Sequence, residues 1–316
     1  MSSASSPPPP KPENPRAVLA RHGLDAKKSW GQNFLIDRTV HERIARAAAP
    51  GGDDVIVEIG AGLGTLTIAL LGAPVPPRRI VAVERDPDML AVLRAELAGE
   101  TRIEIHAADA VHFDFTGAAR AAGRPVIVVG NLPYQITTAL LFAIVEAGNA
   151  VSRAIVMVQR EFAERVVAVP GNKIYGRLSV MVQQRAEARL LFNVHAGAFF
   201  PRPRVTSAVM SIVRRPEALS VVRDEALFAR VVREAFSTRR KMLRRSLADA
   251  FGEERVMAAL QQAGIAGTRR PEELSIAEFA RLTDALGATP GAPTPQTTPG
   301  RGGARLDVSP DQNVDE

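Results

Sequence analysis

Between residues 54 and 158 the chain repeats one short pattern: a brief apolar run, then a stretch with the spacing of an amphipathic helix. The apolar runs fall at 55–59, 80–83, 103–106, 126–129 and 154–158, and 63–71, 86–97 and 137–147 have helical length and periodicity. Strands that alternate with helices of this length pair in parallel, because the helix is the crossover that returns the chain to the same edge. The alternation therefore predicts an α/β fold built on a mainly parallel sheet, which segment 208–213 can close. After Arg215 the pattern is helical only, at 224–236, 241–251, 254–263 and 276–286. The expected organisation is a disordered Pro-rich tail over 1–20, a sheet domain over 21–216, a small all-helical domain over 217–288 and a second disordered tail over 289–316. Six prolines among the first 15 residues, and the Pro, Gly, Thr and Asp of the last segment, are the basis for the tails.

With 316 residues, 46% of them hydrophobic, the chain can bury a core for one large and one small domain. No apolar run reaches the ~20 residues that span a bilayer. The start of the chain lacks the basic and apolar regions of a signal peptide, so the cytoplasm is the expected location and no membrane partner is expected. Zero cysteines exclude a disulfide framework, a thiolate zinc site and a cysteine nucleophile. Five scattered histidines give no metal site. The net charge of +6 is small for this length, and its location says more than its total. Segment 237–247 holds Arg239, Arg240, Lys241, Arg244 and Arg245 with no acidic residue, the sharpest cluster in the chain. By itself such a cluster is more often a solvated face than a phosphate-binding surface.

Four places carry chemistry. The first apolar run leads into Gly60, Gly62 and Gly64, where a backbone without Cβ atoms can approach a ligand. Taken alone, the turn also fits a tight strand-to-helix connection or a dinucleotide site, although its glycine spacing differs from the pyrophosphate fingerprint. Glu84 closes the second run, where a carboxylate can accept the two hydroxyls of a ribose; a solvated strand-end charge is the alternative. Asp109 follows the third run and can accept a hydrogen bond from an adenine amino group, or simply cap a helix.

The fourth place is the tetrapeptide Asn131, Leu132, Pro133 and Tyr134 at the end of the fourth run. The exocyclic amine of adenine is a poor nucleophile, because its lone pair is delocalised into the ring. Catalysis must then come from alignment and from acceptors aimed at a nitrogen that becomes positive. The Asn131 amide oxygen and a carbonyl of the Leu132–Pro133 segment can accept both amino hydrogens, while Tyr134 stacks on a base flipped out of its helix. Phe199 and Phe200 are either core or the second face of that base sandwich.

Together these residues resemble the ribosomal RNA adenine dimethyltransferase family, the small-subunit dimethyladenosine transferases. The resemblance runs from about Arg21 to Leu286 and also includes the segments 28–35, 175–180, 200–207 and 236–243. It implies a Rossmann-like S-adenosylmethionine-dependent methyltransferase domain followed by the helical domain. Gln32, Asn33 and Leu35 would form a lid over the donor, and Gly60, Glu84, Asp109 and Asn131 would make its other contacts. Two transfers to each of two adjacent adenines near the 3′ end of small-subunit (16S) rRNA are implied. Arg239 to Arg245 would form a basic helix on rRNA phosphates, in a protein that acts on the small ribosomal subunit as a monomer. Ala61, Trp30, Ala108 and Gln135 stand where the family more often has other residues.

Three alternatives remain at this level. A large-subunit (23S) adenine methyltransferase of the erythromycin-resistance type shares the turn and the Asn131 loop, but segments 200–207 and 236–243 are closer to the small-subunit enzymes. A ribosome-assembly factor acting mainly by binding would not need Asn131, Pro133 and Tyr134. A nicotinamide-dependent dehydrogenase accounts for the glycine turn and Glu84 only.

Overall fold

A computed structural model of the chain describes residues 13–27, 30–238 and 241–288. In chain order the elements are α1 (Pro15–Arg21), β1 (Phe34–Leu35), α2 (Arg38–Ala48), β2 (Val55–Ile59), α3 (Thr65–Leu71), β3 (Arg79–Glu84), α4 (Pro87–Glu96) and β4 (Ile103–Ala107). There follow α5 (Phe115–Ala122), β5 (Val126–Asn131), α6 (Thr137–Glu146), β6 (Val151–Gln159), α7 (Arg160–Val167), α8 (Arg177–Arg185), β7 (Ala186–Val194), β8 (Phe199–Phe200) and β9 (Ser207–Arg214). Four helices end the described chain: α9 (Glu225–Ala235), α10 (Leu243–Phe251), α11 (Glu253–Ala263) and α12 (Ile276–Ala288).

Seven strands form one sheet in the order β4-β3-β2-β5-β6-β9-β7. The first five run parallel, and β9 joins β6 antiparallel, with Ala154 opposite Ile212. All five residues of β2 are buried, as a central strand covered on both faces requires. On one face Ile56, Ile80, Ile127 and Ile155 pack against Ile44, Ala48, Leu66, Leu70 and Leu71 of α2 and α3. Each large aliphatic side chain buried there contributes roughly 1.5–3 kcal/mol over its exposed state. The chain order reverses at β2, whose neighbours are β3 on one side and β5 on the other. A crevice forms at the carboxyl ends of strands at such a reversal, and it positions the site described below.

Three features depart from the sequence expectations. The expected disorder over 1–20 does not extend to its end, because Pro15–Arg21 is helical. Asn14 caps it by accepting from the Arg16 N–H, and proline at the first helical position starts a helix rather than breaking one. Val18 and Leu19 then bury against Leu63, Met89 and Val92. Residues 1–12 and the tail at 289–316 lie outside the described residues. Strand β7 was not anticipated; its apolar alternation at Leu190, Phe192 and Val194 is short and interrupted by Leu191.

The chain divides into two compact units, one running to Ala163 and resuming over Arg189–Arg214, the other made of Glu164–Ala188 and the chain from Arg215 onward. The sequence reading kept Glu164–Ala188 with the sheet. In the structure it belongs to the helical unit, where the Gly171 N–H donates to the Glu272 carbonyl at 2.8 Å and Gln184 Nε2 donates to the Ser220 carbonyl at 2.7 Å. Phe228, Val232, Leu247, Val256 and Phe279 are fully buried at the centre of that unit. No helix among the described residues is long and apolar enough to cross a membrane.

Candidate active site

At the carboxyl ends of β2, β3 and β5 a cavity is lined by Asn33, Leu35, Gly60, Glu84, Asn131 and Tyr134, among others. Leu132 and Pro133 line it as well, so eight of the expected site residues are brought together from four separate stretches of chain. The glycine turn has φ of 68° at Gly60, 54° at Gly62 and 78° at Gly64, a left-handed series closed to most side chains. At Gly130, next to the tetrapeptide, a Cβ would stand 2.6 Å from the Ile59 carbonyl oxygen. Only glycine lets β5 end this close to β2.

The Glu84 carboxylate is oriented by backbone. Oε1 accepts the N–H groups of Arg85 at 2.7 Å and Asp86 at 2.9 Å, and Oε2 accepts the Gly62 N–H at 2.9 Å. The glycine turn and the strand end are thus tied through one side chain. Asp86, which the sequence shows only as the start of a helix, is a buried anchor for the segment that carries Lys27 and Gln32. It accepts from Lys27 Nζ and Gln32 Nε2, both at 2.7 Å, while capping α4 through the Asp88 N–H at 3.0 Å. Asn33 Nδ2 donates to the Gly31 carbonyl within the same segment, and β1 pairs with β8, so segment 27–35 is held both at Asp86 and at β8.

Asp109 is placed differently from its neighbours in the motif series. Ala108 and Ala110 line the cavity. The Asp109 carboxylate caps the following turn by accepting the Val111 N–H at 3.0 Å and pairs with Arg85 Nη1 at 3.3 Å.

Around the tetrapeptide, Asn131 Nδ2 donates to the Asn33 carbonyl at 3.1 Å, which fixes the amide so that Oδ1 faces the other way. The Leu132 N–H is held by the Met157 carbonyl at 3.0 Å. The Pro133 carbonyl already accepts from Thr137 Oγ1 and from the Ile136 N–H. The Tyr134 hydroxyl lies 2.8 Å from Ser207 Oγ, and burial raises its pKa above the ordinary phenol value. Ser207 was legible only as the last letter of a motif; the contact explains why a hydroxyl stands there. Phe199 is core, 3% exposed. Phe200 packs with Phe34 and carries the Arg16 guanidinium 4.5 Å above its ring.

Two ionisable groups in the cavity wall escaped sequence reasoning. Glu58 on β2 is 1% exposed, and Oε2 has no hydrogen-bond partner among the described residues. Burial, reinforced by the Glu84 charge, pushes its carboxyl up to about 8. His41 on α2 is 2% exposed with both ring nitrogens unpartnered among the described residues, and burial pushes it down to about 4. Both are neutral near pH 7, which is how such groups are tolerated inside a protein. A glutamate inside an apolar strand was the visible signal for the first; nothing marked the second.

The basic segment is not one helix. Arg239 and Arg240 lie outside the described residues, Lys241 precedes the helix, and α10 begins at Leu243. Lys241 and Arg245 are exposed and Arg244 is half-buried. The first turn of α10 has no acidic residue, so Arg244 and Arg245 sit at the end where the helix dipole disfavours cations.

The model of the ribosomal RNA adenine dimethylase family matches residues 23–287. The chain is 46% identical over 284 residues to a ribosomal RNA small subunit methyltransferase A from Anaeromyxobacter sp. (strain K), an overlap of 87% of this chain and 98% of the relative. Among solved structures, the 23S rRNA methyltransferase ErmE is 30% identical with a TM-score of 0.60, covering 80% of this chain and 99% of its own. A dimethyladenosine transferase from Plasmodium falciparum, 21% identical with a TM-score of 0.65 and coverage of 79% and 97%, has the same fold. With a glycine turn, a ribose-type carboxylate and an adenine-type tetrapeptide around one cavity, and with this match over nearly all the described residues, the chain belongs to the ribosomal RNA adenine dimethylase family.

Proposed function

We propose that this protein dimethylates N6 of two adjacent adenines near the 3′ end of small-subunit rRNA, working in the cytoplasm as a monomer on the small ribosomal subunit. The observation that carries the reading is the Asn131 amide. Because Nδ2 is committed to the Asn33 carbonyl, Oδ1 is left to accept one hydrogen of the target amine. Pro133 already serves two donors, so the Leu132 carbonyl takes the second. Two acceptors on one amine orient its lone pair and stabilise the positive charge that develops on nitrogen. Tyr134, steadied by Ser207, offers its ring to the flipped base.

The donor residues fit S-adenosylmethionine, since Glu84 beside the left-handed Gly62 suits a ribose approached closely by backbone. When bound, the donor supplies an electrophilic methyl group whose departure leaves the C–S electron pair on sulfur. Gln32, Asn33 and Leu35 cover it, Gly60 and Glu84 hold its ribose side, and Asp109 meets the adenine amine. Arg239, Arg240, Lys241, Arg244 and Arg245 contact rRNA phosphates; the dipole-opposed Arg244 and Arg245 favour a partner over a purely structural role.

The likeness to ErmE keeps the large-subunit reading as the one to test against, although the identity to the small-subunit relative is higher. Undermethylated small subunits and naked 23S rRNA are incubated with labelled donor and the product is mapped by mass spectrometry. Dimethyladenine near the 3′ end of small-subunit rRNA is expected. Label only in 23S rRNA would move the protein to the other substrate, and no label in either would leave a binding factor.

A further inference from the structure

Trp30 is the only tryptophan of the chain, and it lines the cavity together with Arg85. The Arg85 guanidinium lies 4.9 Å from the Trp30 ring centroid, and Lys27 Nζ lies 5.3 Å from it. The Arg85 backbone N–H is held by Glu84 Oε1 at 2.7 Å, while the tip of its side chain reaches Asp109 Oδ2 at 3.3 Å. Arg85 thus spans from the ribose-type carboxylate to the amine-type carboxylate, the two anchors that a nucleoside placed here has to bridge. A purine joining them runs alongside this side chain and past the indole.

We propose that Trp30 and Arg85 are donor-positioning residues: they form the wall on which the donor's adenine stacks, with Arg85 releasing Asp109 to the adenine amino group. This rests on the donor orientation described above. A planar guanidinium stacks on aromatic faces as an ammonium does not, and tryptophan is the best cation–π partner. The Arg85–Asp109 pair is open to solvent, with side chains 45% and 38% exposed, so it is weak enough to be exchanged for a ligand contact. Lys27, tied to Asp86 and Asp88 at 2.7 Å, keeps the indole near the strand end while Arg85 moves. The competing role is one in which Arg85 and Lys27 only cover the Trp30 ring. That purely structural role predicts no effect on nucleoside binding.

The single tryptophan makes the test direct. Emission is titrated with S-adenosylhomocysteine, with adenosine and with methionine, and affinities are measured in parallel by calorimetry. The first two probes are expected to change Trp30 emission and methionine is not. Arg85→Leu should weaken S-adenosylhomocysteine by about fivefold and raise the donor KM more than it lowers kcat, with Arg85→Lys restoring little. Trp30→Leu, followed by calorimetry, should weaken binding by a similar factor. Emission that stays constant while calorimetry reports saturation would overturn the proposal, as would Arg85→Leu binding within twofold of the parent chain. Full rescue by Arg85→Lys would also overturn it, because charge rather than a stacking plane would then be responsible. Glu84→Ala separates the two levels of inference: if it too binds S-adenosylhomocysteine normally, the donor site itself is misplaced. If Glu84→Ala weakens binding and the Arg85 and Trp30 variants do not, only the stacking wall falls.

Discussion

The two ends of the cavity, the proposed donor end at Glu84 and the proposed acceptor end at Asn131, are built by different means. At the donor end the shape comes from backbone: three left-handed glycines, and a Glu84 carboxylate whose three hydrogen bonds among the described residues are all to backbone N–H groups. At the acceptor end the shape comes from side chains, with Asn131 oriented by the Asn33 carbonyl and Tyr134 by Ser207. Backbone geometry survives changes in neighbouring side chains, which is why Ala61 and Ala108 can stand beside the turn and the Asp109 cap without removing a needed group. A side-chain acceptor has no such redundancy. Losing a donor-end group should therefore weaken binding, and losing an acceptor-end group should stop transfer.

The sharpest way to break this comparison is Asn131→Ala. It is expected to lower kcat by about a thousandfold, in line with loss of a preorganised transition-state partner, while S-adenosylhomocysteine binds within about threefold. A kcat loss below tenfold, measured at saturating donor, would mean that the acceptor end is not side-chain built.

Next in size is a pH effect rooted in the donor-end wall. The Glu58 carboxyl is raised to about 8 from an ordinary 4.5, so the folded state binds its proton more tightly than the unfolded state does. That stabilisation is complete below the unfolded pKa and is lost as pH rises toward the folded one. Between about pH 5 and pH 7.5 the parent chain should lose about 3 kcal/mol relative to Glu58→Gln, which carries no such proton. Denaturant midpoints of the two chains across that range measure it, and parallel curves would show that Glu58 is not buried neutral.

Glu84→Ala should come third. Its expected signature is donor affinity reduced by roughly tenfold with a smaller change in kcat, because a ribose acceptor is lost while Asn131 remains. The reverse ranking of KM and kcat effects would undo the division between the two ends. Smallest is Tyr134→Phe, expected to reduce kcat by about threefold because the ring that stacks is kept and only the bond to Ser207 is lost. Tyr134→Leu should cost far more, and equality of the two variants in a methyl-transfer assay would make the hydroxyl, not the ring, the working part.

Much of this architecture was legible beforehand, and for a clear reason. The glycine turn, Glu84 and the Asn131–Tyr134 tetrapeptide each sit at the end of an apolar run, where strand periodicity stops and local chemistry is exposed in the sequence. What escaped notice was dispersed over longer separations. Asp86 stands in the sequence only as the start of the helical stretch 86–97, and it holds Lys27 and Gln32, more than 50 residues away. Asp109 was open between two roles and makes the cap in addition to its pair with Arg85. The helix Pro15–Arg21 was hidden by the prolines around it, because composition averages over a window and a cap is a single residue.

Sequence alone determined the α/β class, the alternation of strands and helices along the chain and the family, and it singled out Gly60, Glu84 and the Asn131–Tyr134 tetrapeptide, which line the cavity. These follow from local periodicity and from motifs whose members lie within a few positions of one another. Tertiary structure decided which way the Asn131 amide faces, which unit holds Glu164–Ala188, and that Glu58 and His41 are neutral groups in the cavity wall. Each of these depends on atoms brought close from distant stretches of chain. Hydrogen-bond direction and desolvation are set by those neighbours in space, and no local pattern of residues encodes them.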